Sequence, residues 1–177
     1  MQGICDLVRE TSAKVSSKSK LVKIDHEAIA KLVAEFSSNP KQLEYIDWAD
    51  CDFHYFDKNE PESVVDYIFV IDALNFCFWP HTWEYSDLGT SLKNILLKDK
   101  NAFKPANLIK VSFEDFKRDF FLGIDFPLLQ ERHRIIQEVA HECIKSFGGE
   151  FSNIVKKANN SAQEVKNIFG FIFNLAL

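Results

Sequence analysis

A chain of 177 residues with 46% apolar side chains is long enough to bury a sizeable core as one domain or as part of a larger one. Its net charge of −5 argues against a protein that grips long nucleic acid through clustered Lys and Arg, while a single nucleotide needs only a few donors. Phe alone supplies 17 residues, so the core is expected to be dominated by flat rings.

Glu10 to Lys20 is rich in Ser and Lys. Asp25 then stands as an N-cap before Ile29, Leu32, Val33 and Phe36, whose 3-and-4 spacing predicts a short amphipathic helix that Asn39-Pro40 ends. Leu43, Ile46 and Trp48 anchor a less regular segment that reaches His54, Tyr55 and Phe56. Asp57 to Pro61 reads as a turn and a helix start, with Pro61 tolerated in a first turn and Glu60 and Glu62 favourable at the positive end of the dipole.

The segment from Glu62 to Trp79 is β-branched enough for a buried strand, but its length favours a helix buried nearly all round. Helical spacing puts Ile68, Asp72, Asn75 or Phe76, and Trp79 on one stripe. A carboxylate and a carboxamide in so apolar a run need partners, because burying an unpaired amide costs roughly 1–3 kcal/mol. Either Asp72 and Asn75 cap or cross-link neighbouring helices, or they line a pocket for a planar ligand whose faces stack and whose edges bond.

Pro80-His81 closes that element, and a helix is expected around Ser91 to Lys98, followed by a loop containing Pro105. Ser112 and Asp115 form a capping pattern for a helix carrying Phe113, Phe116, Phe120 and Phe121 as core. Pro127 opens the clearest helix, with Leu128, Leu129, Ile135, Ile136, Val139, Cys143 and Ile144 on its apolar side. Glu131 with Arg134 and Glu138 with His141 decorate the other side, and Gly148 is the expected left-handed stop. Ser161 and Glu164 cap a last helix, whose ending from Ile168 to Leu177 is strongly apolar and calls for cover. The coarse reading is all-α, in one helical domain over 1–177 or the N-terminal part of a larger one.

Cys5, Cys51, Cys77 and Cys143 are isolated, which predicts buried free thiols and neither a zinc knuckle nor a disulfide framework. His133 and His141 are too far apart for one metal and read as surface residues. His54, set among Trp48, Phe53, Tyr55 and Phe56, reads first as structural, with bonding to a planar ligand as the alternative. Gly148-Gly149 lacks any phosphate-loop context, and there is no G-x-S-x-G or H-E-x-x-H. Met1 to Asp6 does not open a signal peptide and no segment approaches the ~18 apolar residues of a membrane span, so a cytoplasmic or nuclear, membrane-free protein is expected.

Asp72-Ala-Leu-Asn-Phe-Cys-Phe-Trp79, with Pro127-Leu-Leu-Gln-Glu-Arg-His-Arg134, Phe147-Gly-Gly-Glu-Phe151 and Asn160-Ser-Ala-Gln163, resembles the queuosine salvage proteins, the queuosine 5′-phosphate N-glycosylase/hydrolase family. Val22 to Asp25 fits the same order, so the resemblance spans nearly the whole chain. It implies a compact all-helical fold similar to helix-hairpin-helix DNA glycosylases. It also implies hydrolysis of the N-glycosidic bond of queuosine 5′-phosphate, releasing queuine for salvage into tRNA with no metal or organic cofactor. By the same resemblance Asp72, Asn75, Phe76 and Trp79 contribute to the substrate pocket, and His54 falls near a base-contacting position.

Members of that family run to about twice this length. The part carrying the principal catalytic carboxylate has no counterpart in Gly170 to Leu177, so the chain reads as a truncated N-terminal half with no assignable catalytic residue. The second reading is a catalytically inactive helical interaction module whose apolar tail docks on a partner or on the missing half.

Overall fold

The structure, a computed structural model, describes residues 4–38 and 48–172, with the backbone alone at 4, 5 and 169–172. The Asn39-Pro40 stop, Leu43 and Ile46, the Cys5 thiol and the side chains of the apolar tail beyond Ile168 lie outside the described residues. Those described are helical, without a strand among them, as the sequence leads one to expect. They divide into two compact units, 1–45 and 46–177.

The first unit holds α1 (Ile4–Lys18) and α2 (His26–Ser38). α2 starts where expected: the Asp25 carboxylate accepts from the Glu27 and Ala28 N–H groups at 3.0 and 2.9 Å. α1 is a helix that the Ser- and Lys-rich composition concealed. Its hydroxyls stay within the helix, Thr11 donating to the Leu7 carbonyl and Ser16 to that of Ala13, so they do not compete with it.

The second unit is built on α3 (Pro61–Leu74), which packs against α4 (Tyr85–Lys98), α7 (Leu129–Phe147) and α8 (Phe151–Lys157). Two shorter helices, α5 (Pro105–Leu108) and α6 (Phe113–Phe120), cover α7 from the side, and α9 (Ala162–Ile172) follows α8. Tyr67, Val70, Ile71 and Leu74 turn α3 inward onto Leu88, Leu92 and Leu96, which recur every four residues on α4. Phe103, Phe116, Phe120, Phe121 and Phe151 complete a ring-rich core.

Several ends fall where local chemistry put them. Ser112 Oγ accepts from the Asp115 N–H at 3.1 Å and starts α6, and Gly148 stops α7 at φ 68. α4 begins at Tyr85 rather than near Ser91, because Asp87 accepts from the Glu84 N–H at 2.8 Å in a reciprocal cap. Where α4 crosses α3, a Cβ at Gly89 would stand 3.1 Å from Phe53 and from the Tyr67 hydroxyl, whose hydrogen bond to the Gly89 carbonyl spans 3.0 Å. Gly89→Ala is therefore expected to overpack the crossing and lower stability by about 1–3 kcal/mol, read as a urea midpoint.

Other expectations give way. Helix α3 stops at Leu74 rather than Trp79. His141 is exposed as expected, but His133 is half-buried: its Nε2 donates to the Val111 carbonyl at 2.8 Å and its ring meets Phe113 and Phe116. Arg134 takes both Glu131 and Glu138, leaving no Glu138–His141 pair to decorate α7. Leu128 is exposed and left-handed at φ 57 rather than part of the apolar side. Of the thiols, Cys143 is buried, Cys51 half-buried and Cys77 exposed.

Candidate functional site

Asp72 lies on the outer, exposed face of α3, in the helix's last turn. With Ile68, Phe69 and Ala73 it forms one wall of an open cavity of about 750 Å³, faced by Ile135 and Val139 of α7, Val155 of α8 and Val165 of α9. Arg134 and Glu138 stand at the same cavity, but the Arg134 guanidinium is already held by Glu131 at 2.6 Å and Glu138 at 2.5 Å. No donor among the described residues pairs with Asp72. Partial desolvation by the apolar groove raises its carboxyl above the ordinary carboxylate range, although the residue stays exposed to solvent.

His54 is buried in a cluster of rings. It stacks on Trp48, centroids 4.0 Å apart and planes 16° from parallel, with Phe53 edge-on at 4.4 Å. Its Nδ1 is 2.8 Å from the Trp48 carbonyl, which can only accept, so the proton sits on Nδ1. Nε2 is then the acceptor, and the Tyr85 hydroxyl donates to it at 3.2 Å. The Tyr85 pKa is raised by burial and by the Asp72 charge, which places that hydroxyl within the field of the carboxylate. Tyr85 is thus held by His54.

The other three residues leave the stripe that helical spacing assigned them. Asn75 caps α3 with φ −83 and ψ 70, so the chain turns away and Asn75, Phe76 and Trp79 do not line the Asp72 cavity among its described lining residues. Asn75 is exposed, and Trp79 is 82% exposed. Phe76 turns inward onto Arg132, whose guanidinium carbon is 4.1 Å from the ring centroid. The physical reason is a C-terminal carbonyl problem. In a longer helix the Leu74 carbonyl would accept from residue 78, but here the Arg132 guanidinium and the Phe76 N–H both donate to it.

Arg132 and Tyr85 are the residues that sequence reasoning missed. Arg132 carried a readable signal: Leu129, Arg132, Ile136, Ala140, Cys143 and Phe147 are the buried residues of α7, so an arginine occupies a core position at 3-and-4 spacing. Tyr85 carried none, because its link to His54 spans 31 residues. No group of three or more His, Cys, Asp or Glu is placed to hold a metal among the described residues. Nor is any helix among them long and apolar enough to cross a membrane.

Fold and site together define an all-helical protein with a carboxylate in an apolar, ring-flanked groove and an adjoining polar-aromatic turn. Residues 53–173 match the family described as queuosine salvage protein. The chain belongs to that family. It is 41% identical over 165 residues to the queuosine 5′-phosphate N-glycosylase/hydrolase of Dictyostelium discoideum, covering 88% of this chain and 51% of that protein. Proteins of the same name from Sphaerobacter thermophilus and Mus musculus are 30% and 26% identical, covering 91% and 90% of this chain and 52% of each relative. The chain therefore spans about half the length of the curated relatives it matches. The family match begins at Phe53 and contains His54, the 72–79 block, Tyr85 and Arg132, all within the second unit.

Proposed function

We propose that this chain carries the base-recognising part of an enzyme that hydrolyses the N-glycosidic bond of queuosine 5′-phosphate and releases queuine for salvage into tRNA. The observation that carries this reading is the 41% identity, over 88% of the chain, to a protein named for that activity. The geometry supports it: a heterocyclic base needs an apolar wall, a ring to stack on and a few fixed polar groups for its edge. Asp72 supplies an acceptor at the apolar groove, Asn75 and the largely exposed Trp79 stand on the turn just after it, outside the groove's lining, and His54 holds Tyr85.

In the reaction the bond between base and sugar breaks, the anomeric carbon gains positive character, and water adds to it. Asp72 binds and orients in this scheme, and the group that attacks or stabilises that carbon is unassigned in this chain. The partner is a small modified nucleotide and not a nucleic-acid polymer, and the site of action is the cytoplasm or nucleus.

Titration calorimetry with queuosine 5′-monophosphate, beside guanosine 5′-monophosphate as control, tests the proposal. Saturable binding of the first is expected, and Asp72→Asn should weaken it at least tenfold, about 1.4 kcal/mol. Chromatography of the same mixture shows whether queuine appears; binding without release assigns the bond-breaking group elsewhere. Absence of binding, or an Asp72→Asn variant with unchanged affinity, removes the base-recognition role and leaves a helical interaction module.

A further inference from the structure

Arg132 is the largest fully buried side chain of the second unit, and its charge faces no carboxylate among the described residues. Its donors go to backbone instead. Nε donates to the Pro127 carbonyl and Nη2 to that of Cys77, each at 3.0 Å, and the two terminal nitrogens also donate to the Leu74 and Phe76 carbonyls. The guanidinium carbon lies 4.1 Å from the Phe76 centroid, 5.0 Å from Phe126 and 5.5 Å from Phe78, so rings cover it where carbonyls do not. Burial lowers its pKa to about 10, which keeps the group cationic at neutral pH.

Taking a cation out of water costs several kcal/mol, and an apolar side chain of similar volume would fill the same space without that cost. What an apolar side chain cannot do is hold three carbonyls of one short segment, Leu74, Phe76 and Cys77, in a fixed fork. That segment holds the left-handed Cys77 at φ 45 and stands between Asp72 and the exposed Trp79.

We propose that Arg132 is a positioning residue: it clamps the turn after α3 and thereby sets where Asn75 and Trp79 meet the base. This rests on the proposed function, since it assigns the clamp to the same ligand. Arg132 itself touches no ligand, because its side chain is spent on the backbone and sealed by rings.

Arg132→Lys tests it, keeping the charge but offering one ammonium that cannot span the three carbonyls. Two measurements are made on the folded variant: the Kd for queuosine 5′-monophosphate, and amide hydrogen exchange at residues 75–79 against residues 88–96 of α4. The expected result is an affinity loss of tenfold or more with exchange at 75–79 accelerated and α4 unchanged. A side chain that only stabilised the fold would lower the melting temperature and leave both the Kd of the folded protein and the selective exchange untouched. A variant with parental Kd and parental exchange at 75–79 overturns the proposal.

Should Arg132→Lys fail to fold, Phe126→Leu keeps the guanidinium and loosens one of the rings that hold it. In the same assays, weaker binding with faster exchange at 75–79 supports the clamp, and parental values in both overturn it. If the unaltered protein binds no nucleotide, the proposed function falls, while selective exchange at 75–79 still decides whether Arg132 is the clamp.

Discussion

Phe116→Ala is expected to be among the most damaging single truncations in the second unit, costing about 3–5 kcal/mol in urea unfolding. Its ring is fully buried and lies 4.8 Å from Phe120, 5.4 Å from Phe121 and 5.2 Å from the His133 imidazole. The neighbours of the site it leaves belong to α6, the residue that ends it and α7, all held in the packed core, so collapse to fill it is hindered. The loss should also travel: Phe121 lies 4.8 Å from Phe126, and both cover the Arg132 guanidinium. A cost under about 1 kcal/mol would mean that the core closes freely around the gap, contrary to the close packing of these rings.

Asp66→Asn should act in the opposite sense at neutral pH. Asp66 is buried on the inner side of α3, with Oδ2 3.1 Å from the Lys104 ammonium and Glu150 on the far side of that lysine at 2.8 Å. The Asp66–Lys104 contact is close without being aligned as a hydrogen bond, and Oδ1 meets no donor among the described residues. Desolvation therefore outweighs the lysine and raises the carboxyl from 3.8 to about 6, with Glu150 and Glu62 adding to the rise.

A folded state that binds this proton more tightly than the unfolded chain is favoured by acidity. The contribution is complete below pH 3.8, and it is lost as the pH rises through about 6. The shift corresponds to about 2–3 kcal/mol, and losing the lysine's partner offsets part of it. The Asn variant is expected to be about 1–2 kcal/mol more stable at pH 7 and to lack the parent's decline between pH 4 and 6, measured by urea unfolding across that range. An unchanged slope would assign that pH dependence to other groups.

What could be read from the chain divides by the range of the cause. Asp25, Ser112 and Gly148 set helix ends through contacts within three to six residues, and each stands where its type predicts. α4 starts at Tyr85 through an equally local pair, Glu84 with Asp87, whose acid-for-acid pattern lacks the usual Ser or Thr. The end of α3 was not legible, because a side chain 58 residues away sets it. The 72–79 block stands out in the sequence as out of keeping with a plain core helix, yet periodicity places its residues on one stripe. The structure gives Asp72 to the groove, Phe76 to Arg132, and Asn75 and Trp79 to solvent. Tyr85 was hidden for the same reason as the clamp, since nothing near it in sequence points to His54.

The reach of Arg132, 55 to 58 residues to the three carbonyls of the turn after α3, has a consequence for the order in which the molecule takes shape. α3 can form early from its own apolar face, but the turn behind it has no local reason to adopt its final course. It takes that course only when α7 docks and brings its buried cation between the rings. The final course of that turn is therefore a late product of folding, coupled to the α3–α7 contact. A nascent chain that stops short of α7 would display every residue of the 72–79 block without the clamp that fixes its course in the folded protein.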